Sequence, residues 1–223
     1  MKPRELIGEA DVPGGPPLKL VSHDGAFIIM LDRNELMSSR MSGSEKALAT
    51  MTCERLGARP APRLLIGGYG MGFTLRAALA ELGEDAAITV AELVPGILEW
   101  ARGPMAAMTG GCLDDPRVEV VIDDVGAVIE AGRRGYDAIL LDVDNGPDGL
   151  TRPDNDGLYD TRGLARARAA LKPGGILAVW SAGKDPAFTR RLGHAGFSVE
   201  EVRVRARENG KGPMHVIWFA TAR

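Results

Sequence analysis

Five short apolar runs, each separated from the next by a helix-favouring segment, restrict the folds open to this chain. The runs lie at residues 64–66, 86–91, 118–122, 138–141 and 176–180. Their apolar residues are continuous rather than alternating, which is typical of parallel strands buried on both faces. Helices would cover those faces, and the helix-favouring segments lie near residues 95–102, 125–132, 160–171 and 185–193. The pattern predicts an α/β fold on a mostly parallel sheet.

Both ends of the chain depart from this pattern. Residues 197–205 and 214–220 are strand-like and are joined by eight residues, too few for a crossover helix, so they should pair antiparallel. Residues 18–21 and 26–31 read as a short β-hairpin, whereas the Pro- and Gly-rich residues 1–17 favour a loose arm. We expect an N-terminal arm and hairpin over residues 1–40 and one larger domain over residues 41–223.

A capping-box spacing, Ser-Gly-Ser-Glu, occupies residues 42–45. In such a box a serine side chain accepts a hydrogen bond from the N3 amide of the helix that follows. The spacing predicts a helix from about Glu45 to Leu56, ended by Gly57 and Pro60.

A glycine-rich turn follows the first apolar run and precedes a helix-forming segment. Glycines at 68, 70 and 72 leave room for a ligand and permit a positive φ, and Tyr69 lies among them. A turn between a strand and a helix can present backbone N–H groups to a nucleotide-like ligand. Glycine turns also occur without any ligand, so the spacing alone does not decide the function.

Acidic residues close the strands that follow. In open parallel sheets ligands lie beyond the carboxyl ends of the strands. Glu92 comes about twenty residues after the turn, where an acid can hold ribose hydroxyls. Asp124 could accept from an adenine amino group, and Asp142 would lie beside the reactive end of the ligand. A rim rich in carboxylates suits a sulfonium, which favours S-adenosylmethionine over a dinucleotide.

The segment after Asp142 is long, acidic and rich in Gly and Pro, as an active-site lid often is. We predict that Asp142, or Asp144 beside it, takes the acceptor's proton or pairs with its charge. Oxygen ligands at positions 142, 144 and 145 leave Mg²⁺ as a minor alternative, because no ordered metal-ligand pattern is present. We predict no metal.

Composition favours small-molecule chemistry. The chain has 223 residues and a formal net charge of −3, without a dense Lys/Arg cluster for nucleic acid. Cys53 and Cys112 are far apart and lack metal-ligand spacing, which suits a reducing cytosol. No membrane-length apolar segment or signal-peptide core is visible. We expect a cytoplasmic protein with a small-molecule acceptor and no membrane or nucleic-acid partner; the hairpin and C-terminal strands leave a homodimer open.

Five motifs, taken together, resemble the spermidine synthase branch of class I S-adenosylmethionine-dependent transferases over roughly residues 30–205. They are Gly68–Arg76, Ala91–Pro95, Asp115–Val118 with Asp123-Asp124, Tyr136–Asp142 and Leu171–Gly175. The resemblance implies a Rossmann-like class I methyltransferase fold with a mostly parallel seven-stranded sheet and an antiparallel C-terminal strand, plus the short N-terminal β-hairpin. It also implies a set of cofactor-binding residues: Gly68, Tyr69, Gly70, Gly72, Glu92, Leu93, Asp123, Asp124 and Asp142.

The departures from that family pattern bear on the reaction. Met71 replaces the aspartate that binds the aminopropyl ammonium in the family, and Glu45-Lys46 stand opposite its Tyr-His pair. Because burying an unpaired ammonium is costly, these changes favour methyl transfer to a small molecule over polyamine synthesis. Aminopropyl transfer from decarboxylated S-adenosylmethionine is the alternative, as is a non-catalytic binding module. Tyr69 and Tyr159 are further candidates for the acceptor pocket, whereas core or surface roles are favoured for Trp180, Trp218, His194 and His215.

Overall fold

A computed structural model describes residues 3–143 and 156–223 of the chain. The N-terminal part is a four-stranded antiparallel sheet in the order β1-β2-β3-β4. Its strands are β1 (Glu5–Ala10), β2 (Leu18–His23), β3 (Ala26–Leu31) and β4 (Asn34–Ser38). The predicted hairpin is therefore present as β2 and β3, with a further strand on each side. The prediction of a loose arm is wrong for residues 5–10, which pair with β2. The nearby prolines, Pro3 and Pro13, lie outside this strand and so do not interrupt its hydrogen bonds.

The larger sheet has seven strands in the order β10-β11-β9-β8-β5-β6-β7. They are β5 (Arg63–Gly67), β6 (Ala87–Glu92), β7 (Val118–Ile122), β8 (Tyr136–Leu141), β9 (Leu171–Ser181), β10 (Phe197–Arg205) and β11 (Met214–Ala222). Strands β5 to β9 are parallel, and β11 pairs antiparallel with both β9 and β10. The predicted sheet and its antiparallel C-terminus are confirmed.

Helices cover both faces of this sheet. They are α1 (Gly43–Leu56), α2 (Phe73–Glu81), α3 (Pro95–Arg102), α4 (Ala106–Thr109), α5 (Val125–Ala131), α6 (Asp156–Tyr159), α7 (Thr161–Ala170) and α8 (Pro186–His194). Alternate residues of β5 point to opposite faces: Leu64 packs with α1 to α3 and the N-terminal sheet, and Leu65 packs with α5, α7 and α8. Within the described ranges, no helix is long and apolar enough to cross a membrane.

The first residues of α1 do not form the predicted capping box. The Ser42 side chain makes no cap to the helix, and its hydroxyl lies 3.0 Å from the Glu208 carboxylate instead. The Glu45 carboxylate accepts a hydrogen bond from the Ser44 hydroxyl and is buried. The capping-box prediction is wrong, because tertiary contacts at this end of the helix take the side chains that local spacing would assign to the cap.

The topology places several strand ends together. From β5 the chain continues to β6 and β7 on one side, and it later returns through β8 and β9 on the other side. Gly67, the last residue of β5, pairs with Ala91 on β6 and with Leu141 on β8. The residues that follow these strands therefore meet at one edge of the sheet, at the point where the strand order reverses.

A buried acid, Asp137, lies at the other end of the parallel strands, where β8 begins, and accepts hydrogen bonds from three parts of the chain. It is 4% exposed and accepts from the Arg63 amide at 2.9 Å, the Lys172 ammonium at 2.6 Å and the Arg59 guanidinium at 3.1 Å. Burial alone would raise the pKa of Asp137, but these donors hold it below its ordinary value of 3.8. The contribution of the ionised acid to stability is therefore present above about pH 4 and is lost as the pH falls through the lowered pKa.

We expect Asp137→Asn to lower the free energy of unfolding at pH 7 by about 3 kcal/mol, because two partly buried cations lose their counter-ion. Urea denaturation would measure the change, and the difference from the wild type should shrink in acid. Glu200→Gln is the matched control, since Glu200 pairs with Arg55 but is exposed, and it should change stability by less than about 0.5 kcal/mol. Equal losses in the two variants would contradict this account.

Candidate active site

A cavity of about 220 Å³ lies at the edge where β5, β6 and β8 end. Its walls come from the strand ends, from the first turn of α1 and from the N-terminal sheet. The lining residues that the structure describes are Val12, Gly15, Pro16, Leu18, Ile29, Leu31, Leu36, Met37, Glu45, Gly68, Gly70, Ala91, Glu92, Leu93, Val94, Ile97, Asp123, Asp124, Val125, Asp142, Val143 and Trp180. Five of these are acidic and none is basic, so the site favours cations.

The glycine turn forms the floor of the cavity. Gly68 has φ +84°, and a Cβ at this position would lie 2.7 Å from the Asp142 carbonyl oxygen. Gly70 has φ +54°, and a Cβ there would lie 2.8 Å from the Met37 methyl group. Both positions thus require glycine for conformation and for close approach. The turn allows the end of β8 and the N-terminal sheet to come close together.

Tyr69 and Gly72, two of the predicted cofactor-binding residues, do not line the cavity. The Tyr69 ring packs beneath the turn, where a Cβ on Gly72 would lie 2.6 Å from its hydroxyl. That hydroxyl lies 3.4 Å from the Cys112 thiol, and burial raises the pKa of Tyr69. Tyr69 contacts the site through its backbone instead, since its amide donates to Glu92 at 2.8 Å.

Glu92 is buried at the end of β6 and is held by the backbone. Its two carboxylate oxygens accept from the amides of Tyr69, at 2.8 Å, and Val94, at 2.9 Å. Burial raises the pKa of Glu92, and these donors partly offset the rise. The two amide contacts fix the carboxylate at the cavity wall while leaving lone pairs on both oxygens for a ligand. Ribose binding by Glu92 remains a prediction.

Leu93, Asp123 and Asp124 lie along the same side of the cavity as Glu92. Asp124 is the N-cap of α5 and accepts from the Gly126 amide at 2.8 Å. Asp123 is exposed and accepts from the amide of Asp124. The structure brings together the three acids that close β6 and β7, as the sequence predicted. Their contacts with a cofactor remain predictions.

Asp142 and Glu45 line the cavity together. Thr74, in the first turn of α2, donates its hydroxyl proton to Asp142 at 2.9 Å. Burial raises the pKa of Asp142 to about 6, and the Thr74 hydrogen bond limits the rise. Burial, followed by repulsion from Asp142, raises the pKa of Glu45 to about 7. When no cation is bound, each acid therefore holds its proton to a higher pH than an ordinary carboxyl group does.

We expect Glu45→Gln to stabilise the protein in mildly alkaline solution. A raised pKa means that the folded state favours the protonated acid, so stability is lost as the pH rises from about 4.5 through about 7. Gln cannot ionise and avoids this loss, which is roughly 3 kcal/mol at pH 8. Melting temperatures should agree at pH 4 and should be higher for the variant at pH 8. A lower melting temperature of the variant at both pH values would contradict the raised pKa.

Sequence reasoning did not identify Glu45 or the apolar wall as parts of the site. Local spacing assigned Glu45 to a helix cap, and its position opposite the family's Tyr-His pair counted only as a departure from the family pattern. The packing of α1 against the end of β8 places it beside Asp142. Leu18, Ile29 and Leu36 come from the N-terminal sheet, and Trp180 from the end of β9. The hairpin and Trp180 belong to no sequence motif, so nothing in the sequence indicated that they would line a ligand cavity.

Two other residues that the sequence singled out, Met71 and Tyr159, lie away from the cavity. Met71 is fully buried in the core. Tyr159 packs edge-on against Phe188, with ring centroids 5.7 Å apart, and does not line the cavity. Asp144, the second predicted catalytic residue, lies outside the described residues and stays a prediction.

The order of the seven strands and the antiparallel β11 are those of the class I S-adenosylmethionine-dependent transferase fold. The sequence model of the spermine/spermidine synthase domain matches residues 50–198. The chain belongs to the spermine/spermidine synthase domain family. The predicted resemblance to this branch of the fold is thereby confirmed.

Comparisons with individual proteins agree with this family assignment. The polyamine aminopropyltransferase of Mycobacterium tuberculosis (strain H37Rv) is 38% identical over 121 residues, which is 52% of this chain and 22% of the relative. Polyamine aminopropyltransferase 2 of Pseudomonas aeruginosa is 33% identical over 124 residues, covering 54% of this chain and 33% of the relative. The chain thus spans well under half of the length of either relative. The crystal structure of spermidine synthase from Thermotoga maritima has a similar fold, with a TM-score of 0.76 and 20% identity over 98% of this chain and 73% of that chain.

These comparisons correct the predicted reaction. The prediction of a small-molecule methyltransferase is wrong, because the matching family is that of spermine/spermidine synthases and the curated relatives are polyamine aminopropyltransferases. That prediction was wrong because it gave single departures from the family pattern, chiefly Met71 and Glu45, more importance than the pattern of the whole domain. The alternative that the sequence left open, aminopropyl transfer, is the better supported one.

Proposed function

We propose that this chain transfers an aminopropyl group from decarboxylated S-adenosylmethionine to a primary amine. The observation that carries the proposal is the pair of acids, Glu45 and Asp142, in a cavity with five acidic and no basic lining residues among those described. Both the donor, with its sulfonium and ammonium groups, and an amine acceptor are cations. Membership of the spermine/spermidine synthase domain family supports the same reaction.

In this proposal the donor lies along the row of strand ends. Glu92 accepts hydrogen bonds from the ribose hydroxyls, and Asp124 accepts from the adenine amino group, with Leu93 and Asp123 beside the base. Gly68 and Gly70 leave space for the part of the donor next to the ribose. The sulfonium then faces Asp142 and Glu45, which lie on the other side of the glycine turn from Asp124.

The transfer requires a neutral amine. The acceptor nitrogen attacks the methylene carbon bonded to sulfur, a C–N bond forms, the C–S bond breaks, and its electron pair stays on sulfur as methylthioadenosine. Asp142 pairs with the acceptor's charge and aligns its nitrogen opposite sulfur, so much of the rate comes from positioning. Asp144 remains a second candidate for this role.

A product assay tests the proposal. The full chain is incubated with decarboxylated S-adenosylmethionine and with primary amines and diamines, and mass spectrometry quantifies the products. We expect methylthioadenosine and an aminopropylated amine in equal amounts, and neither when S-adenosylmethionine replaces the donor. Donor binding without any methylthioadenosine across the amine panel would overturn the proposed function.

A further inference from the structure

A chain of hydrogen bonds leads from the cavity acid Glu45 to the ring of His215. The Ser44 hydroxyl lies 2.6 Å from Glu45 Oε2 and 2.8 Å from His215 Nδ1. Ser44 is fully buried, and Glu45 is 7% exposed. His215, near the start of β11, is only half-buried and packs edge-on against the Trp180 ring at 4.8 Å. The chain therefore joins a buried carboxylate to a partly exposed imidazole.

The proton count of this chain allows two arrangements. Ser44 has one hydroxyl proton, so when it donates to ionised Glu45, His215 must donate from Nδ1–H to the Ser44 oxygen. When Glu45 is protonated, it donates to Ser44, and Ser44 donates to a bare His215 Nδ1. Moving both protons from protonated Glu45 towards the ring turns a His215 that carries its proton on Nε2 into an imidazolium. Loss of the Nε2 proton to solvent then leaves the arrangement with ionised Glu45 and Nδ1–H. The His215 tautomer is thus tied to the charge of Glu45.

We propose that Glu45 takes the proton from the acceptor amine and that Ser44 and His215 carry this proton from the cavity to solvent. The inference rests on the proposed aminopropyl transfer. It assigns the proton to Glu45 and leaves Asp142 to pair with the acceptor's charge.

The acceptor ammonium gives one proton to the Glu45 carboxylate and becomes the neutral nucleophile. After the C–N bond has formed, Glu45 passes its proton to Ser44, Ser44 passes its own to His215 Nδ1, and the imidazolium releases a proton from Nε2 to solvent. A half-turn of the ring then presents its bare nitrogen to Ser44 for the next turnover. Each turnover releases one proton, as conversion of a sulfonium and an ammonium into a thioether and a secondary ammonium requires. No oxidant, reductant or further reactant is involved.

The charged groups around Glu45 suit this role. Burial, followed by repulsion from Asp142 across the cavity, raises the pKa of Glu45 to about 7. A pKa near 7 suits a general base at neutral pH. His215 stands behind Ser44, and burial lowers its pKa below 6.5, so the ring is neutral and able to accept. From the neighbouring elements, Lys46 on α1 is paired with Glu208, and Arg76 on α2 donates to the Met108 carbonyl.

Two variants separate proton transfer from simple positioning. Glu45→Gln keeps an acceptor for Ser44 but no base, and we expect kcat to fall by about 100-fold or more with a similar Kd for methylthioadenosine. His215→Asn keeps a donor for the Ser44 oxygen but cannot relay protons, and kcat should fall by about tenfold or more. If His215→Asn retains the wild-type kcat and pH profile, the ring only positions Ser44 and the relay is overturned.

A measurement without turnover tests the hydrogen-bond chain itself. Nitrogen NMR of histidine-labelled protein with methylthioadenosine bound reports the His215 tautomer as a function of pH. We expect Nδ1–H above the pKa of Glu45 and Nε2–H just below it, with the change absent in Glu45→Gln. A tautomer that is the same in both proteins at all pH values overturns the coupling, and Ser44→Ala, which removes the bridge, should behave like Glu45→Gln.

The two readouts distinguish the two proposals. Product formation by the wild type with an unaltered pH profile in Glu45→Gln would overturn the relay alone. A coupled tautomer change without aminopropylated product from any amine would overturn the proposed reaction and, with it, the assignment of the acceptor as the proton's source.

Discussion

Glu92→Gln is expected to weaken the binding of methylthioadenosine by at least about 100-fold. Each Glu92 oxygen accepts a backbone N–H, from Tyr69 on one side and Val94 on the other. The amide NH₂ of Gln would face one of these donors and cannot accept from it or hold a ribose hydroxyl in the same position. The loss of two hydrogen bonds to a charged group corresponds to roughly 3 kcal/mol, which is about a hundredfold in affinity.

Isothermal titration of the full chain with methylthioadenosine measures this effect. Glu119→Gln is a matched control, because Glu119 is an exposed acid on the neighbouring strand β7 and does not line the cavity. Its affinity should stay within about twofold of the wild type. An unchanged affinity in Glu92→Gln would show that the nucleoside does not lie against the end of β6.

Asp142→Asn is expected to lower kcat/KM for the amine by about 100- to 1000-fold. Removing one partner of a buried charge pair costs about 2–5 kcal/mol, and the acceptor ammonium would lose the carboxylate that aligns it. Binding of methylthioadenosine, which is uncharged at sulfur, should change much less. The wild-type kcat/KM should begin to fall as the pH drops below about 7, where Glu45 becomes protonated, and should fall more steeply below about 6, where Asp142 does.

Thr74→Val supplies a graded control for Asp142. The variant keeps the acid but removes the hydroxyl that donates to it at 2.9 Å, so the pKa of Asp142 should rise further. The steeper part of the acidic limb, below about pH 6 in the wild type, should move to higher pH, with a smaller loss at pH 8 than in Asp142→Asn. If the steeper part of the limb does not move in Thr74→Val, its assignment to Asp142 is contradicted.

Much of the fold was predictable because the parallel strands are continuous apolar runs and the C-terminal loop is too short for a crossover. The N-terminal sheet was only partly predictable. Strand β1 has Pro- and Gly-rich neighbours, and its residues become a strand only by pairing with β2. Propensity alone does not contain that pairing, which depends on contacts between segments.

The candidate site likewise contains residues that could be predicted from the sequence and residues that could not. Glu92, Asp124 and Asp142 were predictable because each lies at, or within two residues of, the end of a strand of the parallel sheet, where the topology brings strand ends together. Glu45 and His215 were not, because they come from the start of α1 and from β11 and meet only through the packing of α1 on the sheet. Residues joined by such long-range contacts carry no periodicity or spacing that marks them in the sequence.

A crystal structure with methylthioadenosine bound tests the central claim most directly. The account predicts the ribose hydroxyls within hydrogen-bond distance of Glu92, the adenine amino group at Asp124, and the thioether sulfur facing Asp142 and Glu45. Density for the nucleoside in the reverse direction, with its base against Asp142, or binding outside this cavity would contradict it.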